Sequence, residues 1–156
     1  MGIKKALPSD AGEILAVQKL AFQSEGKLWN DYTIPPLIET EDEFLKDLEK
    51  NIILKAVLDG KIVGSVRGNI NDAGEVYIAR LSVHPDFQNR GIGKLLMREL
   101  ENSFEKVKKY YLGTGKISVK DITFYEKLGY RITGEYPLSE IVIMVIMEKF
   151  IDRSCV

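Results

Sequence analysis

Two glycines stand where a helix begins. In HPDFQNRGIGKLL, residues 84–96, Gly91 and Gly93 open a segment whose apolar residues recur at three- and four-residue spacing: Ile92, Leu95, Leu96, Leu100, Phe104 and Val107. Glycine inside a helix costs roughly 1 kcal/mol relative to alanine, so a pair at this place implies that bare backbone is needed there. The preceding stretch, GEVYIARLSV (74–83), reads as a strand. A strand, a short loop and a glycine-rich helix start form a backbone anion site. The first helical amides have no internal partner, the helix dipole favours negative charge, and glycine lets a ligand approach.

The rest of the chain alternates strands and helices around that point. IKKAL (3–7) reads as a strand, and PSDAGEILAVQKLAFQ as a helix opened by Ser9 or Asp10, with Ile14, Val17, Leu20 and Ala21 on its apolar face. Residues 24–40 read as irregular, because Pro35 and Pro36 forbid a continuous helix. EDEFLKDLEK is a short amphipathic helix, and residues 51–70 form a hairpin turning at Asp59-Gly60. The helix after the glycines is expected to span 93–107. It is followed by a strand (109–115), a helix (118–129) with Ser118 and Asp121 spaced as a capping box and Gly129 as its stop, and two closing strands, YRITGEY and EIVIMVIMEKF. Intermixed strands and helices predict one α/β or α+β domain over residues 1–156, a sheet flanked by helices.

Which anion the loop accepts depends on its residues. A Walker loop requires Gly and then Ser or Thr where the chain has Gln88 and Leu95. The dinucleotide fingerprint requires a third small residue where it has Leu96. The pattern Q/R-x-x-G-x-G/A is met by Gln88, Asn89, Arg90, Gly91, Ile92 and Gly93. On ARLSVHPDFQNRGIGKLLMRELE, together with the later ITFYEKLGYRITGE, the chain resembles the GNAT superfamily of N-acetyltransferases over nearly its whole length.

The resemblance implies a mixed, mostly antiparallel sheet that splays open between strand 74–83 and strand 109–114. It implies acetyl-CoA as cofactor, with the pyrophosphate on the amides of Arg90, Gly91, Ile92, Gly93 and Lys94 and the loop ordered by Gln88 or Asn89. The pantetheine arm would pair along Leu81, Ser82 and Val83, with the Leu81 amide as oxyanion donor. Ser118 stands near the coenzyme, where the family often has Asn. The reaction implied is direct attack of a primary amine on the thioester in a ternary complex, with Tyr125 protonating the departing thiolate. The positions where the family often carries a basic Glu or His fall on Tyr77 and Ala79. Glu75, read as sharing a face with Tyr77, Ala79, Leu81 and Val83, is therefore the expected base, acting through water with a pKa raised by partial burial. The substrate wall is expected from residues 24–40, with Trp29 and Tyr32, alongside Tyr77. Glu25, Asp31 and Glu39 there suit a cationic small-molecule or peptide amine, while Trp29 and Tyr32 read equally as lid packing.

Composition excludes other classes. A net charge of −1 offers no basic field for nucleic acid. One Cys (Cys155) and one His (His84, a loop residue) allow no disulfide and no Cys/His metal cluster, so no metal is expected. The N-terminus lacks an apolar signal core, and IVIMVIM (141–147) is too short to span a bilayer, so a cytoplasmic protein without a membrane partner is expected. That apolar run reads as a strand buried on both faces, either in the core or against a second copy in a homodimer. Two non-enzymatic readings stand beside catalysis: an acyl-CoA-binding or sensing module of the same fold, and a structural homo-oligomer.

Overall fold

Asp59 and Gly60 both adopt positive φ, 50° and 77°, as a two-residue hairpin turn matched to the twist of its strands requires. They join β2 (Ile52–Leu58) to β3 (Lys61–Ile70), and β1 (Gly2–Lys5) and β4 (Glu75–Val83) flank that pair in antiparallel order. The computed structural model describes residues 1–151; Cys155 lies outside them. Beyond β4 come β5 (Lys109–Gly115), β7 (Ile143–Phe150) and β6 (Arg131–Pro137), in the order β1-β2-β3-β4-β5-β7-β6. Among the described residues only β4 and β5 are parallel, and they pair from Glu75 to Tyr77 and no further, while β5 stays paired with β7 through Gly115. The sheet is therefore mixed, mostly antiparallel, and splayed beyond Tyr77.

Helices cover both faces. α1 (Ala11–Ala21) and α4 (Glu41–Lys50) bury Ile14, Leu15, Val17 and Phe44 with Ile53 and Ile62 on one side. On the other, α5 (Ile92–Glu101) buries Ile92, Leu96, Met97 and Leu100 against Val66, Val76 and Ile78, and α6 (Val119–Lys127) packs on β5. β7 is internal to the sheet with Val145 and Met147 buried, whereas Ile143, Met144 and Ile146 are half-buried and Ile141, ahead of the strand, is exposed, so the expected burial on both faces is corrected to burial of one.

Several local expectations change. Residues 24–40 are not wholly irregular: α2 (Gln23–Trp29) is helical and ends on left-handed Asn30, and Pro35 starts the short helix α3 (Pro35–Ile38) at the position where proline is tolerated. α5 stops at Glu101, leaving Phe104 and Val107 in the following turn, although Val107 is still buried. In α1, Leu20 faces solvent and Gln18 is buried instead. The Asp10 side chain does not cap α1; it accepts the Leu7 amide (2.7 Å) and Lys55 Nζ (2.6 Å).

β4 also departs from simple alternation. Between Ala79 and Ser82 it carries one more residue than β3, and Arg80 takes a positive φ of 58°. This bulge reverses the phase of the strand. Ser82 pairs opposite Ser65 and Ala79 opposite Arg67, so Tyr77, Ala79 and Ser82 share the α1 face, whereas Leu81 and Val83 pack with the α5 core. The expected common face of Tyr77, Ala79, Leu81 and Val83 is corrected accordingly.

Buried charge fixes the α1 face. Arg67, 1% exposed, donates to Glu39 (2.7 Å), Asp47 (2.9 Å) and Gln18 (2.9 Å), and its guanidinium lies 5.0 Å from the Phe44 ring centre. Gln18 donates to the Pro36 carbonyl (2.9 Å) and to Glu39 (3.0 Å), and Arg80 Nε reaches Glu39 at 3.3 Å. Burial pushes the Glu39 carboxyl up, but Arg67, Gln18 and Arg80 outweigh it and hold the group below its ordinary value. Arg67→Met leaves this carboxylate buried without its main partner and is expected to cost roughly 3–5 kcal/mol in urea denaturation. An unchanged midpoint would show that the network does not anchor residues 36–47.

Candidate active site

α5 begins with its amides open. Gly91, at φ 83°, is the left-handed residue before the first turn; no side chain caps the helix, and a Cβ on Gly91 would meet nothing within 4 Å. The amides of Ile92, Gly93 and Lys94 thus have no intrahelical acceptor. Gln88 donates its side-chain amide to the Val83 carbonyl (3.1 Å), and Asn89, at φ 64°, turns the chain into the helix. His84 accepts the Asp86 amide through Nδ1 (3.1 Å), shaping the turn ahead of them. Gly93 lies against α6, where an added Cβ would stand 3.3 Å from Phe124. These features fit a phosphate cradle.

The cradle opens into a cleft of about 810 Å³ that continues between the splayed strands. Tyr77, Ala79, Leu81 and Val83 line it from β4; Leu112, Gly113 and Thr114 from β5; Asn89, Gly91, Gly93 and Lys94 from the loop and α5; Tyr125 from α6; Trp29 from α2. Most residues expected at the site therefore meet in one cavity. Arg90 is exposed and its side chain stacks over Phe87 (5.2 Å) rather than lining the cleft. Ser82 is buried with its hydroxyl on the Arg80 carbonyl (3.2 Å). Tyr32 folds back over Gly26 of α2, where an added Cβ would lie 2.6 Å from its ring, and is not among the cleft residues.

Glu75 is placed elsewhere. Its carboxylate accepts Asn71 (3.0 Å) and pairs with Lys109 (3.2 Å), away from the cleft. The Asn71 hydrogen bond, with Lys109, holds it below the ordinary value. This is the reverse of the raised pKa expected of a base, because the start of β4 faces solvent and a lysine rather than apolar walls.

Of the three acids expected along the substrate wall, only Glu25 enters the cleft. Glu39 is spent on Arg67 and Arg80, and Asp31 accepts the Thr33 amide (2.9 Å) and hydroxyl (2.6 Å) at the surface. Ser118 does not form the expected capping box with Asp121. Buried at 4% exposure, it donates toward both Glu25 oxygens, at 2.9 and 2.7 Å. Gly115 permits this contact, since a Cβ there would lie 2.7 Å from the Ser118 hydroxyl and 3.0 Å from Trp29 Nε1. Asp121 shares a hydrogen bond with Glu25, and burial first, then that carboxyl neighbour, pushes Asp121 up to about 7 against the opposing pull of Lys120. Tyr125, one turn further along α6, stacks edge-on with Phe124 (5.1 Å) and Tyr130 (6.1 Å). Burial, with the Asp121 and Glu25 charges, raises its phenol far above the ordinary range. Sequence reading missed the Glu25–Asp121 pair because its partners come from distant segments. Tyr136 and Met144, on β6 and β7, also line the cleft without a sequence signal.

The acetyltransferase (GNAT) family model matches residues 14–130. An acetyltransferase of Pectobacterium atrosepticum (strain SCRI 1043) is 35% identical over 105 residues, covering 65% of this chain and 69% of that protein. Among solved structures, the PaiA N-acetyltransferase of Thermoplasma acidophilum in complex with coenzyme A superposes with a TM-score of 0.77 at 18% identity, over 96% of this chain and 98% of that one. The putative acetyltransferase yncA of Salmonella typhimurium with its cofactor acetyl-CoA gives 0.76 at 19% identity, over 98% and 95%.

The acid pair carries a thermodynamic signature. Folded Asp121 holds its proton to about pH 7, whereas its ordinary value is 3.8. Between these values the folded state binds more protons than the unfolded state, so this group's contribution to stability falls as pH rises through the window and levels off above it. Asp121→Asn keeps the hydrogen bond without the charge. Its Tm is expected to match wild type near pH 4 and to exceed it by a few degrees at pH 8, each kcal/mol being worth roughly 2–4 °C in a chain of this size. A Tm difference independent of pH would show that Asp121 titrates as an ordinary surface acid.

Proposed function

The chain belongs to the acetyltransferase (GNAT) family, and from that premise we propose that it transfers the acetyl group of acetyl-CoA to a primary amine by direct attack with both substrates bound. The observation that carries the reading is the continuity of one cleft from the open start of α5, through the splay between β4 and β5, to the Tyr125 hydroxyl. The amides of Ile92, Gly93 and Lys94 would hold the pyrophosphate, with the peptide units at Arg90 and Gly91 completing the loop that Gln88 fastens to Val83. Leu81, Ser82 and Val83 lie where β4 has left β5, so main-chain groups there are candidates to pair with the pantetheine amides as a further strand would.

Acetyl-CoA, when bound, supplies an activated acyl carbon and a thiol leaving group. The Leu81 amide, next to the bulge residue, is the candidate donor to the acyl oxygen as charge develops on it. Tyr125 retains its proton at neutral pH, because burial and two nearby carboxyl groups oppose its ionisation. It is therefore suited to give that proton to the departing sulfur. Trp29 and Tyr77 both line the cleft and would offer aromatic surface to a cationic amine.

Two measurements test this. Gly91→Glu places a carboxylate in the cradle where a Cβ meets no neighbour, although a side chain at φ 83° costs roughly 1–2 kcal/mol; the variant is expected to fold with lowered stability yet lose calorimetric binding of coenzyme A. Undiminished affinity in the folded variant would remove the cradle assignment. Tyr125→Phe is expected to keep coenzyme affinity and to lower kcat by roughly 10²-fold; turnover at the wild-type rate would leave Tyr125 as packing only.

A further inference from the structure

The proposed reaction needs a base, and the strand position expected to supply one points away from the cleft. We propose that Glu25 and Asp121, reaching the cleft from α2 and α6, act as one proton-transfer unit that takes the proton the amine must shed and passes one to the Tyr125 hydroxyl. This inference rests on the acyl-transfer reading above. Its support is geometric. Ser118 holds both Glu25 oxygens at 2.9 and 2.7 Å, so the carboxylate has a fixed direction. Asp121 is hydrogen-bonded to that carboxylate and lies one helical turn before Tyr125, which puts their side chains on one face of α6. All three line the same cleft, and the Tyr125 phenol senses the charge of both acids.

Two carboxyl groups sharing a hydrogen bond hold one proton between them, because both cannot ionise cheaply at short range. A pair that titrates near neutrality accepts and releases a proton with little driving force lost either way, which is what acid–base catalysis at pH 7 needs. Besides the pair, the charged and titratable groups lining the same cleft are Lys120 and Tyr125 on α6, Lys94 on α5, Arg80 and Tyr77 on β4, and Tyr136 on β6. Of these, Lys120 favours the ionised form of Asp121.

The proton balance closes without any further reactant. The ammonium first gives one proton to the pair and becomes a nucleophile. Its nitrogen forms the C–N bond and the C–S bond breaks. The sulfur takes the Tyr125 proton, and the pair returns a proton to Tyr125. The second proton lost by the nitrogen passes to solvent through the pair, which by then again holds its single resting proton, so each turnover releases one thiol and one proton.

The test compares wild type with the double variant Glu25→Gln/Asp121→Asn, which preserves shape and hydrogen bonding. Thiol release from acetyl-CoA is followed against pH with a diamine, an amino-acid amide and a peptide bearing a free α-amine. Wild type is expected to show an inflection near pH 7 in kcat/KM. The double variant should lose that inflection and about 10²-fold in kcat at neutral pH, with coenzyme affinity and amine KM within twofold. In the ligand-free chain, carbon NMR of labelled aspartate should show one carboxyl titrating near 7 that disappears in Asp121→Asn. An active wild type whose pH profile survives in the double variant, or the absence of any such carboxyl titration, overturns the inference and leaves the acyl-transfer reading standing. A purely structural clasp between α2 and α6 would raise KM and coenzyme Kd without removing the inflection, and that result also overturns it. Wild type that releases no thiol with any amine overturns the underlying reading and this inference with it.

Discussion

Everything at the site depends on β4 leaving β5 after Tyr77 while staying bonded to β3. A parallel ladder that continued to Val83 would close the sheet and fill the cleft with backbone. The bulge at Arg80 re-aims the strand at this divergence. Left-handed backbone in a residue with a Cβ costs roughly 1–2 kcal/mol, and the Arg80 side chain offsets part of that by reaching Glu39. Glu39 in turn is held by Arg67 and Gln18. A buried ion network of this kind contributes little net stability. What it does is tie the bulge of β4, the core of β3, the end of α1 and the segment through Pro36 into a single arrangement.

The splay then puts three kinds of chemistry within one cavity. The open amides of α5 favour an anion, main-chain groups of β4 without a β5 partner favour an amide chain, and the α2–α6 contact supplies acids beside a protonated phenol. Each draws on a different physical cost. Bare amides are tolerated because Gly91 adopts φ 83° without strain. Glu25 is held there because Ser118, rather than capping its helix, donates to the carboxylate. Gly115 allows the close approach of Trp29 on α2 and Ser118 at the start of α6, and Gly93 that of α5 and α6.

The local signals were legible where one short segment determines the outcome. Asp59-Gly60 states its turn, Gly91 and Gly93 state an open helix start, and Gly129, at φ 101°, ends α6 as read. Two motifs in order along the chain were enough for the family, and with it the splayed sheet. Tyr125 follows from its motif and does line the cleft. What could not be read depends on contacts between distant segments. A bulge is one extra residue, and alternation alone carried the face of β4 through Arg80 to the wrong side. Gln18 is buried with its side chain on Arg67, which comes from a strand far along the chain, while Leu20 lies at the surface. Glu75 looked suitable by spacing, but Lys109 and Asn71 claim it. Glu25 and Asp121 meet only because α2 folds onto α6, and residues 24–40 read as irregular gave no helix on which to place Glu25.

The most direct measurement is a crystal structure of this chain with coenzyme A bound. The account predicts pyrophosphate oxygens on the amides of Gly91–Lys94, the pantetheine arm beside Leu81–Val83, and the thiol sulfur within hydrogen-bonding reach of the Tyr125 hydroxyl, with Glu25 and Asp121 behind it. Coenzyme A seated outside the split between β4 and β5, or with its sulfur remote from Tyr125, would contradict it.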